Sequence, residues 1–215
     1  AVASLGGVWS ICAPDMGTNA VLDRFRQITP RVLIACDGVR HAGRDHDRRA
    51  VVGELMAALP TVTHLLVLDN LGLGAEGLPP HASLATALAR NDAEVAAFEP
   101  DWLPFDHPLW IVYSSGTTGL PKPIVHGHGG TVLVGMAMMN LHDDIGCSYD
   151  PNSLGERFHW YSSTGWVMWN AQMHGLLTGT TCCLYDGNPG GSKEAPDWST
   201  LWRFADEVGV TWFGA

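Results

Sequence analysis

Three apolar runs, at residues 8–12, 31–36 and 64–68, show almost no alternation of apolar with polar residues, and amphipathic stretches separate them. A strand with one face in water alternates, whereas a strand buried on both faces reads as a continuous apolar run. The order strand, helix, strand, helix, strand therefore predicts a parallel sheet covered on both faces. This is an α/β fold of layered, parallel-rich sheets covered by helices. The first helix is expected from a cap at Thr18 or Asn19 through about Gln27, with Val21, Leu22 and Phe25 on one face and Pro30 ending it. The second is expected near 50–59, and the charged stretch 41–49 before it reads as a loop. With 215 residues, 46% of them hydrophobic, the chain can bury a sizeable core.

Between 69 and 108 the pattern weakens. Pro79-Pro80, Gly72, Gly74 and Gly77 mark loops around one short helix at 82–90. Further on, the periodicity predicts a helix at 129–141 rich in Met and Val, a strand at 158–162 and a helix at 166–177. A strand at 180–185 and a helix at 196–208 follow, and Thr211-Trp212-Phe213 opens a last strand.

The apolar run Leu109-Trp110-Ile111-Val112 leads into Tyr113-Ser114-Ser115-Gly116-Thr117-Thr118-Gly119-Leu120-Pro121-Lys122. Glycines let backbone N–H groups approach an anion, short hydroxyls add donors, and a lysine brings mobile positive charge. Polyphosphate binding requires that chemistry. The spacing is not that of the kinase and GTPase loop, in which Gly-Lys-Ser/Thr opens a helix. Here Pro121 and Pro123 flank Lys122, and proline has no N–H to give, so the stretch reads as a loop between two strands, with Ile124-Val125-His126 starting the second.

That string resembles the phosphate-binding signature of the adenylate-forming enzymes, the superfamily of acyl-CoA synthetases, firefly luciferase and peptide-synthetase adenylation domains. Several further stretches are similar to its acetoacetyl-CoA synthetase branch. They include Pro108-Leu109-Trp110-Ile111-Val112, Pro123-Ile124-Val125-His126-Gly127-His128-Gly129-Gly130, Trp160-Tyr161-Ser162-Ser163-Thr164-Gly165-Trp166-Val167-Met168-Trp169-Asn170 and Leu184-Tyr185-Asp186-Gly187-Asn188-Pro189. The resemblance covers nearly the whole chain. It implies a ligase that activates acetoacetate with ATP and Mg²⁺ as an acyl-adenylate and transfers it to coenzyme A. Ser114, Ser115, Gly116, Thr117, Thr118, Gly119 and Lys122 would bind the ATP phosphates, Lys122 also serving catalysis. His126, Gly165 and Trp166 are candidates for the acyl and coenzyme pocket, with no protein metal site beyond Mg²⁺ carried on ATP. The family's Thr-Glu signature, ribose-binding Asp and C-terminal catalytic Lys have no match here. The chain is thus expected to be an incomplete adenylation domain, an internal piece of the large N-terminal domain lacking the C-terminal one, and inactive alone. Other short-chain acyl-CoA synthetases acting on acetate or propionate, and a non-catalytic nucleotide-binding module, stand as alternatives.

Other features are read more plainly. Trp166 reads either as a pocket wall or as a core aromatic, and Trp169 as core; Met168 stands where acetyl-CoA synthetases carry a Thr. His126-Gly127-His128 on a strand would aim both rings to one side, without a third metal ligand at the right spacing. His41 and His46 read as solvated, Cys182-Cys183 as strand core, Asp143-Asp144 as a solvated helix end, and Met136, Met138 and Met139 as helix packing. Net charge is −10, with 12 basic residues against 22 acidic and no basic cluster, which argues against nucleic acid and anionic membranes as partners. No apolar run approaches the length of a membrane span. Five cysteines without regular spacing suggest reduced thiols in a cytoplasmic protein.

Overall fold

The structure is a computed structural model that describes residues 1–41, 43–115, 119–146, 155–192 and 194–214. It forms two units: one comprises Ala1–Ile11, Asp101–Val112 and Ile124–Ala215, the other Cys12–Pro100 and Tyr113–Pro123.

After a 3₁₀ turn at Ala3–Leu5, strand β1 (Trp9–Ser10) is shorter than the expected 8–12, because its parallel partner engages only those two residues. Helix α1 (Thr18–Phe25) is capped not by Thr18 or Asn19 but by the extended backbone of Gly17. The Thr18 hydroxyl instead donates to Glu54, 2.8 Å away. Strand β2 (Val32–Cys36) follows as predicted. The charged stretch that reads as a loop is instead an antiparallel hairpin, β3 (Gly38–His41) and β4 (Arg44–Asp47). Its turn includes Gly43 at φ 76°, a left-handed conformation that glycine adopts without a Cβ penalty, and a bidentate Arg40–Asp45 pair spans it in solvent. Helix α2 (Arg49–Ala58) and strand β5 (His64–Leu68) lie close to prediction. The expected helix at 82–90 resolves into a two-residue strand, β6 (Ala82–Ser83), and helix α3 (Leu84–Leu88), whose first turn the Ser83 hydroxyl caps; helix α4 (Ala93–Ala96) is capped by Asp92.

Strands β2, β5 and β6 form a parallel sheet in the order β2-β5-β6. Leu33, Leu65 and Val67 pack under Val21, Leu22 and Phe25 of α1 and Val52 and Leu55 of α2, the main core of this unit. Burial of each such side chain contributes about 1.5–3 kcal/mol. The other side of the sheet departs from the two-sided cover predicted from continuous hydrophobicity: Val32 is 50% exposed, Ile34 39% and Leu68 42%.

The second core belongs to the other unit. Strand β7 (Pro108–Ser114) lies between β1 and β8 (Lys122–Gly127), which begins two residues before the expected start. Helix α5 (His128–Met136) runs on into a π-helical stretch at Ala137–His142. Strand β9 (Arg157–Trp160) is the centre of a parallel sheet in the order β10-β9-β11. Helix α6 (Val167–His174) precedes a 3₁₀ turn at Gly175–Thr178, closed by Gly179 at φ 78°. Strand β10 (Thr181–Cys182), helix α7 (Thr200–Val208) and strand β11 (Trp212–Gly214) complete the order. Residues 196–199 are not helical as expected; Asp197 there accepts from Ser199, and α7 starts only at Thr200. Phe158 and Ile145, each 1% exposed, centre a core with Met139, against which Trp160 and Trp212 pack. Met139 alone of the predicted methionine group is buried; Met136 and Met138 are both 44% exposed.

Candidate functional site

The phosphate-type loop joins β7 to β8, strand to strand, as the prolines require. Both of its ends are tied to the α1 region. At the entry, buried Tyr113 donates its hydroxyl to the Arg24 carbonyl at 3.1 Å, and the Arg24 guanidinium sits 5.7 Å above its ring. At the exit, the Gln27 side-chain amide donates to the Pro121 carbonyl at 2.8 Å and to the Asp23 carbonyl at 2.7 Å. Between these anchors Ser114 is half-buried at the end of β7 and Ser115 is exposed. Gly119 has φ 153°, a region that favours glycine; a Cβ there would meet only open space, so the backbone alone requires the residue. Lys122 opens β8 and is exposed; among the described residues its ammonium has no ion-pair partner. Gly116, Thr117 and Thr118, also predicted to bind phosphate, lie outside the described residues. The described rim thus offers short hydroxyls and an uncommitted cation, a donor set matched to an anion.

The second predicted segment leaves β9 and turns into α6. The Tyr161 N–H donates to the Gly214 carbonyl at 2.8 Å and the Trp166 N–H to the Ser163 carbonyl at 3.0 Å. Trp166, in extended conformation, precedes α6 and is 45% exposed, so it is not a core aromatic. Gly165 stands beside it in the same turn, 3.4 Å from the Ser163 hydroxyl. Trp160, by contrast, stacks on Trp212 at 5.5 Å between ring centroids and is part of the core. The Phe158 and Cys183 region of the same unit is knitted by Gln172, 1% exposed, which donates to the Cys183 carbonyl at 2.8 Å, and by His159, whose Nδ1 lies 2.8 Å from the same oxygen.

Only His126 of the histidine pair lies on a strand. His126 lies on β8 with its ring 6.2 Å from that of Trp110. His128 begins α5, and its ring lies 5.7 Å from that of His107. The strand geometry assumed for both rings ends at Gly127, where the backbone turns into a helix. Among the described residues no three His, Cys, Asp or Glu side chains stand where they would hold a metal. The loop residues and the pair Gly165 and Trp166 fall in different units, with His126 in the unit of the latter.

Three contributors escape a reading of the sequence. Arg24 and Gln27 are nearly a hundred positions from the loop they hold, and nothing local marks them. His174, at the end of α6, stacks on Trp110 at 5.2 Å with a 29° interplanar angle. Burial, and the neighbouring His126, lower its pKa below the usual histidine value.

A family model described as AMP-binding enzyme matches residues 1–215. The chain is 40% identical over 216 residues to the acetoacetyl-coenzyme A synthetase of Rhizobium meliloti (strain 1021), covering 100% of this chain and 31% of that protein. It is 35% identical over 219 residues to the acetoacetyl-CoA synthetase of Gallus gallus, again covering 100% of this chain and 31% of the relative. Among solved structures it is similar to the acetoacetyl-CoA synthetase from Streptomyces lividans, with a TM-score of 0.85 and 45% identity over 99% of this chain and 30% of that one. The chain thus spans about a third of the length of the relatives it matches.

Proposed function

This chain belongs to the AMP-binding enzymes, and from that premise we propose that it is part of an ATP-dependent acid–thiol ligase. The enzyme joins acetoacetate to coenzyme A and releases AMP and pyrophosphate. One observation carries the reading: a Ser/Gly/Thr loop set between two strands, held at both ends by Tyr113 and Gln27, that presents an exposed Lys122 without an ion-pair partner among the described residues. The likeness to three acetoacetyl-CoA synthetases supports the acyl group. Coverage of about a third of those chains supports placing residues 1–215 in a larger adenylation domain whose C-terminal partner lies outside them. No helix among the described residues is long and apolar enough to cross a membrane; small-molecule substrates without nucleic acid fit the −10 charge, and cysteines without regular spacing support a cytoplasmic setting.

In this reading the acetoacetate carboxylate, ionised at neutral pH, attacks the α-phosphorus of ATP, and the bond to pyrophosphate breaks. No protein nucleophile is required. Negative charge accumulates on the departing pyrophosphate, and the Ser114, Ser115, Thr117 and Thr118 hydroxyls, the loop N–H groups with Gly116 and Gly119, and Lys122 meet it. The coenzyme A thiol then displaces AMP from the acyl carbon, with His126, Gly165 and Trp166 as lining of the acyl and coenzyme pocket. Oxygen donors with no cluster of three metal-ligating side chains among the described residues suit Mg²⁺ that arrives on the phosphates, where it would supply charge neutralisation. Of the residues assigned to that task, Ser114, Ser115, Gly119 and Lys122 are described.

The test is pyrophosphate exchange into ATP by the full-length polypeptide that carries this chain. Exchange dependent on acetoacetate, at kcat/KM at least tenfold above acetate and propionate, is expected; no exchange with any of the three acids would refute the reading. Lys122→Ala is expected to lower kcat/KM about ten- to a hundredfold, as loss of a charged hydrogen-bond donor does. Unchanged exchange would remove Lys122 from the mechanism.

A further inference from the structure

Strands β7 and β8 frame the loop, and each carries an aromatic ring set back from it by the same distance in sequence. Trp110 stands four positions before Ser114, and His126 four positions after Lys122. The two rings lie 6.2 Å apart and tilted by 48°. On Trp110 rests the His174 imidazole, stacked at 5.2 Å with a 29° interplanar angle. Among the described residues the Trp110 indole nitrogen and the His174 Nε2 are buried without a hydrogen-bond partner, so neither of these atoms ties its ring to a neighbour. Ring stacking is the contact that joins the pair. Helix α5 leaves His174 little freedom: a Cβ at Gly135 would fall 2.7 Å from its Nδ1. The helix that ends in His174 begins directly after Trp166, so α6 joins the second candidate segment to this stack.

We propose that His174 is a positioning residue, which, stacked on Trp110, sets the strand that delivers Ser114 and Ser115 to the phosphates. The inference rests on the nucleotide-binding reading above. A flat ring clamped between α5 and β7 restrains how far Trp110, and the strand with it, can shift. Ligand binding then has less left to order at Ser114 and Ser115. An interaction that only preorganises the loop is equally present in ground and transition states, so its loss raises KM and Kd and spares kcat.

The experiment measures the Kd for Mg-ATP by calorimetry, with KM and kcat from pyrophosphate exchange, in the full-length polypeptide. His174→Ala is expected to raise Kd and KM for ATP about three- to tenfold with kcat within twofold. His174→Phe, which keeps a flat ring on Trp110, restores most of the affinity. Should the alanine variant not fold, His174→Gln, similar in size but without a ring, must show the same loss. An Ala or Gln variant of native circular dichroism whose Kd for Mg-ATP is unchanged overturns the proposal, even if its melting temperature falls. A wild-type polypeptide that binds Mg-ATP but exchanges no pyrophosphate sinks the ligase reading alone and leaves the Kd comparison decisive. One that binds no Mg-ATP sinks both.

Discussion

Asp37, 1% exposed, accepts three loop N–H groups: Asn70 at 2.7 Å, Leu71 at 3.1 Å and Leu73 at 2.9 Å. Burial alone raises the pKa of a carboxyl. Here the N–H groups of Leu73, Leu71 and Asn70, with the Asp69 side chain, outweigh it and lower the value to about 2 from 3.8. A folded pKa below the unfolded one means that the unfolded chain binds the proton more tightly. The stabilisation is therefore complete above about pH 4 and is lost as pH falls from there towards 2. Asp37→Ala leaves three part-buried loop donors without their acceptor and is expected to cost about 1–3 kcal/mol by urea unfolding at pH 7. The difference from wild type shrinks at pH 2.5. Equal stability of the two proteins at pH 7 would show that water satisfies those donors and that the carboxylate does not hold the 69–73 turn.

Among the elements, helix α5 meets α6 through a glycine, and the geometry sets a sign. A methyl at Gly135 would stand 2.7 Å from His174 Nδ1 and 3.0 Å from its Cγ, closer than packed atoms approach. Gly135→Ala brings helix propensity of about 1 kcal/mol in its favour, against overpacking of about 1–3 kcal/mol. A net loss is expected, measured as a lower urea midpoint at unchanged m-value; a gain would mean that the imidazole swings aside at no cost. The same comparison of forces explains which elements are legible in the sequence. Strands β2 and β5 and helices α1 and α2 are legible because an apolar core selects their residues, and periodicity records that selection. The β3–β4 hairpin is all polar on its exposed second strand, so no hydrophobic period marks it; Gly43 and the Arg40–Asp45 pair make it. Strands β1 and β10 are shorter than their apolar runs because pairing, which a run does not encode, stops after two residues. At the candidate site the loop itself is legible from its residue types. Its anchors Arg24 and Gln27, and the His174–Trp110 stack, are contacts between distant positions with no local pattern to give them away.

For the whole molecule, the distribution of apolar surface matters more than the fold class. Net charge of −10 keeps copies of the chain apart at long range. Yet Val32, Ile34 and Leu68 stay 39–50% exposed on one parallel sheet, where such sheets are ordinarily buried on both faces. Contiguous apolar area of this kind drives association once two copies meet, since screening at 0.15 M salt confines charge repulsion to about 8 Å. Ile34 projects from the uncovered side, whereas its neighbour Leu33 packs under α1 and α2. Ile34→Lys in the 215-residue polypeptide therefore removes apolar contact area without opening a cavity and is expected to change folding stability by less than about 1 kcal/mol. Its sedimentation coefficient should move towards the monomer, and its binding of a hydrophobic dye should fall. Leu33→Lys serves as the opposite control, because a charge forced beneath two helices must unfold this unit. If Ile34→Lys unfolds the protein as Leu33→Lys does, the sheet is covered on both sides in solution, as its continuous hydrophobic strands first imply.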